Sequence, residues 1–194
     1  MGQSANSITD LDRSVTVMSR RRHFLPIVLL ICIAVCCAAE PAKPQPLEYR
    51  VKAAFLLNFT KFIEWPEAAF PASDSPISIC IVGDDPFGAA LDQIVEGETA
   101  NARKVVVQRI AQPLKSCQIV FFGRSEKDVP KLLTALGPGI LTVGDGEGFL
   151  GKGGMIDLVI DNRRVRFDVN QRAAEAANLK LSAKLLNVAR SVEK

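Results

Sequence analysis

Histidine is nearly absent from this chain: its 194 residues include one, His23. Beyond that position no His-based triad and no imidazole metal ligand can be built, which removes the commonest general base and the commonest metal ligand. Tyrosine and tryptophan are equally scarce, at one each. A strong charge of either sign is lacking too: 24 basic residues face 21 acidic ones. Several of the basic residues stand in the first 22 positions, so the remainder is close to neutral. A nucleic-acid partner, which needs a basic face, is not expected.

The N-terminal region reads as an export signal. Arg20, Arg21 and Arg22 form a basic cluster, Phe24 to Cys37 is an uncharged apolar run, and Cys37-Ala38-Ala39 places small residues at a cleavage site. The run is shorter than the roughly 18 to 20 residues a spanning helix needs. Cleavage near Ala39 is therefore expected, with an uncleaved inner-membrane anchor as the alternative. Arg21-Arg22 resembles a twin-arginine signal only loosely, because Arg20 stands where a serine is usual. Val35 and Cys36 are poor residues to precede a lipidated cysteine. Met18 is an alternative start. The expected organisation is residues 1–39 as N-terminal extension and signal, 40–47 as a proline-rich linker, and 48–194 as one domain.

Of five cysteines, Cys32, Cys36 and Cys37 fall in the signal. Cys80 and Cys117 remain, an even number in an oxidising compartment, and a disulfide between them is expected. By chain entropy it would stabilise the fold by about 4 kcal/mol. Two buried free thiols are the alternative.

Periodicity places a helix over 48–64, with Val51, Phe55, Phe59 and Phe62 on one face and an apolar stripe wider than one packed face needs. Pro66 ends it. Residues 77–82 read as a buried strand, followed by a turn in which Asp85 caps a helix beginning at Pro86 and ending near Val95. Strands are expected over 104–109, 117–122 and 140–143, with a helix over 129–136 capped by Ser125. Residues 144–154 read as a glycine-dense loop. Residues 155–160 and 164–169 flank Asp161-Asn162-Arg163 as a hairpin. Asn170 and Ser182 cap two last helices, 171–177 and 183–191. Strands alternate with helices and finish in a hairpin, which predicts a three-layer α/β domain with a mostly parallel sheet and an antiparallel hairpin at its edge.

Little chemistry is available to such a domain. With the two cysteines bridged, no thiolate nucleophile remains. Asp84 and Asp85 are the best-placed carboxylates, at the end of a strand where α/β sheets bind ligands, but adjacent side chains diverge and Asp85 is needed as a cap. Gly146-Glu147-Gly148-Phe149-Leu150-Gly151 fits the dinucleotide fingerprint, yet Gly153-Gly154 interrupts the helix the fingerprint needs, and a glycine loop making a sharp return is the better reading. No catalysis, cofactor or metal is expected. Lys180, Lys184 and Arg190 read as a solvated surface. The surplus apolar face of the first helix, with Trp65 beyond it, is the feature that points to another protein.

Five segments in order resemble the YfiR family: residues 48–66, 80–88 and 117–122, then Gly153-Gly154-Met155-Ile156 with 165–170, and finally Leu181 to Leu186. The resemblance covers nearly all of 48–192. It implies a periplasmic protein of Rossmann-like fold, often a homodimer. It also implies binding to the periplasmic part of an inner-membrane diguanylate cyclase, which is held inactive, and release by an outer-membrane lipoprotein. Cys80 and Cys117 match a family disulfide. A second cysteine pair of some members would fall near Phe149 and Ile156, where this chain has none. The candidate partner or ligand contacts are Asn58, Lys61, Trp65, Asp84, Asp85 and Lys180. A periplasmic small-molecule-binding protein feeding a sensor, using the crevice near Asp84 and the 144–154 loop, is the alternative function.

Overall fold

The computed structural model describes residues 46–112 and 115–194. The signal segment, with His23, Cys32, Cys36 and Cys37, and most of the proline-rich linker lie outside the described residues.

The first element, α1 (Leu47–Phe62), gives way to β1 (Ile63–Glu64). The helix was expected to reach Glu64. Ile63 instead leaves the helical region, and its two-residue strand pairs antiparallel with β9 (Lys180–Leu181). The main sheet has eight strands in the order β10-β8-β7-β6-β5-β2-β4-β3. Its centre is β2 (Ile77–Val82), flanked by β4 (Arg103–Ile110) and β5 (Ile119–Phe122), with β6 (Leu141–Gly144) next. All of these run parallel. The remaining strands are β3 (Thr99–Ala100), β7 (Ile156–Asp161), β8 (Arg164–Asn170) and β10 (Ser191–Glu193).

The fold is the mostly parallel α/β sheet the sequence predicts. β7 and β8 form the expected antiparallel hairpin, pairing Ile156 with Val169 through Asp161 with Arg164. Its turn holds Asn162 and Arg163 at positive φ, the geometry of the tight hairpin turns that match strand twist. Outside the hairpin lies one further short strand, β10, parallel to β8. It replaces the end of the last helix, which stops at Val188 rather than Ser191.

Helices cover the two faces unequally. On one face α1 packs against α2 (Ala89–Val95) and α5 (Ala183–Val188), with α4 (Gln171–Ala176) completing that side. Here Ala53, Leu56, Leu57 and Phe59 meet Ile77, Ile79, Ile81, Phe121, Val143, Leu158 and Phe167 in one core. Phe55 and Phe59 both set their rings against Phe167, with centroids 5.4 and 5.3 Å away. The wide apolar stripe of α1 is explained by this position between two helices and a sheet: Phe55 and Phe62 turn into the core, leaving only Leu47 and Val51 of the stripe exposed. The opposite face is covered by α3 (Val129–Ala135) alone, over Cys80, Val82, Cys117, Val120 and Phe122. Cys80 and Cys117 are joined there, their Cα atoms 5.9 Å apart and both side chains fully buried.

Two of the four expected caps resolve differently. The Asp85 side chain accepts from the backbone N–H groups of Phe87 and Gly88, an Asx turn that satisfies donors locally. The helix therefore starts immediately after them, at Ala89, and not at Pro86. Helix α3 begins after Asp128, not Ser125, and Pro130 occupies its first turn. Asn170 and Ser182 do cap α4 and α5, accepting from Ala173 and Leu185 N–H.

Candidate functional site

At the carboxyl ends of the parallel strands, where open α/β sheets form their binding crevices, lies a cleft of about 930 Å³. Its making starts with β6. The Asp145 N–H, one residue past that strand, donates to the Phe122 carbonyl of β5 at 3.1 Å, which sets the carboxylate at the strand mouth. The glycine loop then turns outward and returns into β7. Phe149 anchors it: its ring lies against Gly144 and Gly154, where a Cβ atom would come within 2.2 and 2.1 Å of it. Glycine at both positions is required by this close approach. A 3-10 turn (Leu150–Lys152) replaces the helix a dinucleotide fold would need.

The first turns of α1 close one wall. Lys52 is fully buried, and its Nζ lies 2.6 Å from Asp145 Oδ1, hydrogen-bonded also to Glu48. It sits 4.9 Å from the centroid of the Tyr49 ring. Arg124 reaches in from above, donating from Nη2 to Glu48 at 3.1 Å and from Nε to Asp145 at 3.2 Å. Burial, reinforced by the Asp145 charge, pushes the Tyr49 hydroxyl up to about 12.

The hairpin strands make the opposite wall. Asp157 on β7 and Asp168 on β8 face each other in register. Arg190, just before β10, donates from Nε to Asp168 at 2.8 Å. Arg190 is exposed, as expected, and its guanidinium also joins the C-terminal strand to the hairpin. Asp157 is buried without a cationic hydrogen-bond partner. Burial pushes its carboxyl up to about 6, against the opposing help of the Gly146 and Phe149 N–H groups and with a contribution from Asp168 and Asp145. Six carboxylates line the cleft: Glu48, Asp145, Glu147, Asp157, Asp168 and Glu193. Arg124 and Arg190 line it too, with Lys52 beneath, so negative charge dominates.

The six candidate contacts divide between the two ends of the sheet. Asp84 is exposed at the end of β2, and Asp85, beside it, pairs with Arg109 at 2.8 Å. Neither lines the cleft. At the other end, Trp65 is half-buried and donates from Nε1 to the Gln118 carbonyl at 3.2 Å. Lys180 stands opposite Glu64 in the β1–β9 pair. Lys61 pairs with Glu98 at 2.8 Å, and Asn58 is exposed one turn before it on α1. Asn58, Lys61, Trp65 and Lys180 thus share one end of the domain. Sequence reasoning missed Lys52, Asp145 and Asp157. Each carried a signal: a charge set among apolar residues of a helix or strand, or an aspartate between two glycines at a strand end.

The described residues thus form a three-layer α/β domain with a carboxylate-lined cleft at the carboxyl ends of its parallel strands. The chain belongs to the YfiR/HmsC-like family, DUF4154, whose model matches residues 49–190. Membership carries a regulatory, periplasmic role in diguanylate cyclase signalling. No curated protein matches the sequence. Among solved structures, the chain is similar to a conserved domain protein from Vibrio cholerae O1 biovar El Tor strain N16961, at 11% identity and a TM-score of 0.44. That likeness covers 60% of this chain and 54% of that one. Among the described residues no helix is long and apolar enough to cross a membrane.

Proposed function

We propose that this protein is a periplasmic repressor that binds the periplasmic portion of an inner-membrane diguanylate cyclase and lowers cyclic di-GMP output. The single observation that carries this reading is the family match over residues 49–190. The domain acts by contact: it shifts the cyclase toward the conformation it binds, by no more than its differential affinity for the two states. The export signal delivers it, as a diffusible protein after cleavage near Ala39. The contact surface is the end that carries Asn58, Lys61, Trp65 and Lys180. A homodimer is the acting form, and an outer-membrane lipoprotein relieves repression by sequestering it. The test is deletion of the gene with cyclic di-GMP measured before and after. A rise that the wild-type gene reverses is expected; an unchanged level across growth conditions overturns the reading.

A second reading is favoured by the cleft: a small molecule binds there and reports to the membrane partner. Of the crevice expected near Asp84 and the 144–154 loop, this reading uses the loop side. A thermal-shift survey of charged metabolites tests it, since a ligand that binds only the folded state raises Tm.

A further inference from the structure

We propose that the cleft binds an aliphatic diamine, one ammonium group held by the buried pair Asp145 and Asp157 on its floor and the other by Glu147 at its rim. The proposal rests on the second reading above and supplies its ligand class. Two buried polar atoms carry it. Asp145 and Asp157 are 1% and 5% exposed, both line the cleft, and Asp145 Oδ2 and Asp157 Oδ1 have no hydrogen-bond partner. Buried carboxylate oxygens are normally satisfied, and leaving one unmade is costly.

The surrounding charges decide what would satisfy them. Lys52 and Arg124 are committed to Asp145 Oδ1 and Glu48, and Arg190 is committed to Asp168. None of them hydrogen-bonds to Asp157. An anion would meet an excess of carboxylates. A metal ion is disfavoured too, because among the described residues no three acidic, histidine or cysteine side chains are grouped to hold one. An ammonium group is compact, brings three donors and needs no fixed coordination shell. The cleft, at about 930 Å³, is much larger than one ammonium, and Glu193 lines it as well. A second ammonium a few methylenes away fits that extent and charge.

Titration calorimetry of the purified protein with 1,4-diaminobutane, with succinate as the oppositely charged probe, tests this. Saturable binding of the diamine alone is expected, weakened by salt. Asp157→Asn should raise its Kd roughly tenfold or more, the loss of one charge-assisted hydrogen bond. Glu147→Gln, at an exposed position, should raise it about two- to threefold and leave the melting curve unchanged, which separates binding from folding. Glu64→Gln, at the far end of the sheet, should have no effect. Diamine binding that Asp157→Asn and Glu147→Gln both leave unchanged overturns the proposal. Binding of succinate but not of the diamine overturns it while the small-molecule reading survives. If neither binds and the wider metabolite survey is silent, both fall.

Discussion

Lys52 Nζ and Asp145 Oδ1 meet at 2.6 Å with both side chains almost wholly buried. The pair ties the second turn of α1 to the end of β6, and with it one wall of the cleft to the floor. A buried ion pair is a weak net source of stability, but removing one partner leaves an uncompensated charge. Lys52→Met should therefore lower stability by about 3 kcal/mol, read as a lower urea midpoint at constant slope. Adding Asp145→Leu should recover part of the loss, because the stranded carboxylate is gone.

The bridge between Cys80 and Cys117 is sealed beneath α3, both residues being 0% exposed. Thiol reductants should leave it intact in the native protein and cleave it once urea is added, as followed by mass spectrometry after alkylation. The Cys80→Ala, Cys117→Ala double variant should lose about 4 kcal/mol by the chain-entropy relation for a loop of this length.

The Asp157 carboxyl, pushed up to about 6 from an ordinary value of 3.8, has a definite effect on stability. Between those two values the folded state holds a proton that the unfolded state has lost. The stability this group contributes is thus fully present below 3.8 and is lost as pH rises through about 6; stability falls with pH in that window. Asp157→Asn removes the dependence. Thermal melts should show the variant more stable than wild type at pH 7.5, with the advantage shrinking at pH 4. Parallel profiles would refute a raised Asp157.

Phe149 fills the hollow over Gly144 and Gly154 and is 3% exposed. Phe149→Ala should cost about 4 kcal/mol through the cavity it opens. Gly154→Ala should be severe in the wild-type background, since its Cβ would lie 2.1 Å from the ring. In the Phe149→Ala background the same change should cost far less, a coupling that a double-mutant cycle measures.

What was legible in the sequence follows from the range of the forces involved. Val-, Ile- and Phe-rich runs such as 77–82 and 119–122 are read easily, because strands buried on both faces are continuously apolar. Asn170 and Ser182 declare their helices because capping is local. The two- and three-residue strands β1, β3, β9 and β10 were not legible. Each exists only through a partner, such as Ile63 with Leu181 or Ser191 with Asp168. Asp85 was read as a helix cap because an Asx turn and an N-cap use the same residue type. The cleft was half legible: its glycine loop was singled out, but Lys52 and Asp145 are 93 residues apart, and nothing local announces their meeting.

β7 and β8 divide their side chains between two tasks. Leu158 and Phe167 point into the core, while Asp157 and Asp168, on the other side of the pleat, line the open cleft. Both carboxylates are nonetheless buried, at 5% and 8% exposure. A substitution at Asp157 or Asp168 therefore alters the cleft lining and the stability of the hairpin together, since Asp168 also holds Arg190. One register, Asp157 opposite Asp168 and Leu158 opposite Phe167, thus fixes the cleft wall and the core at once.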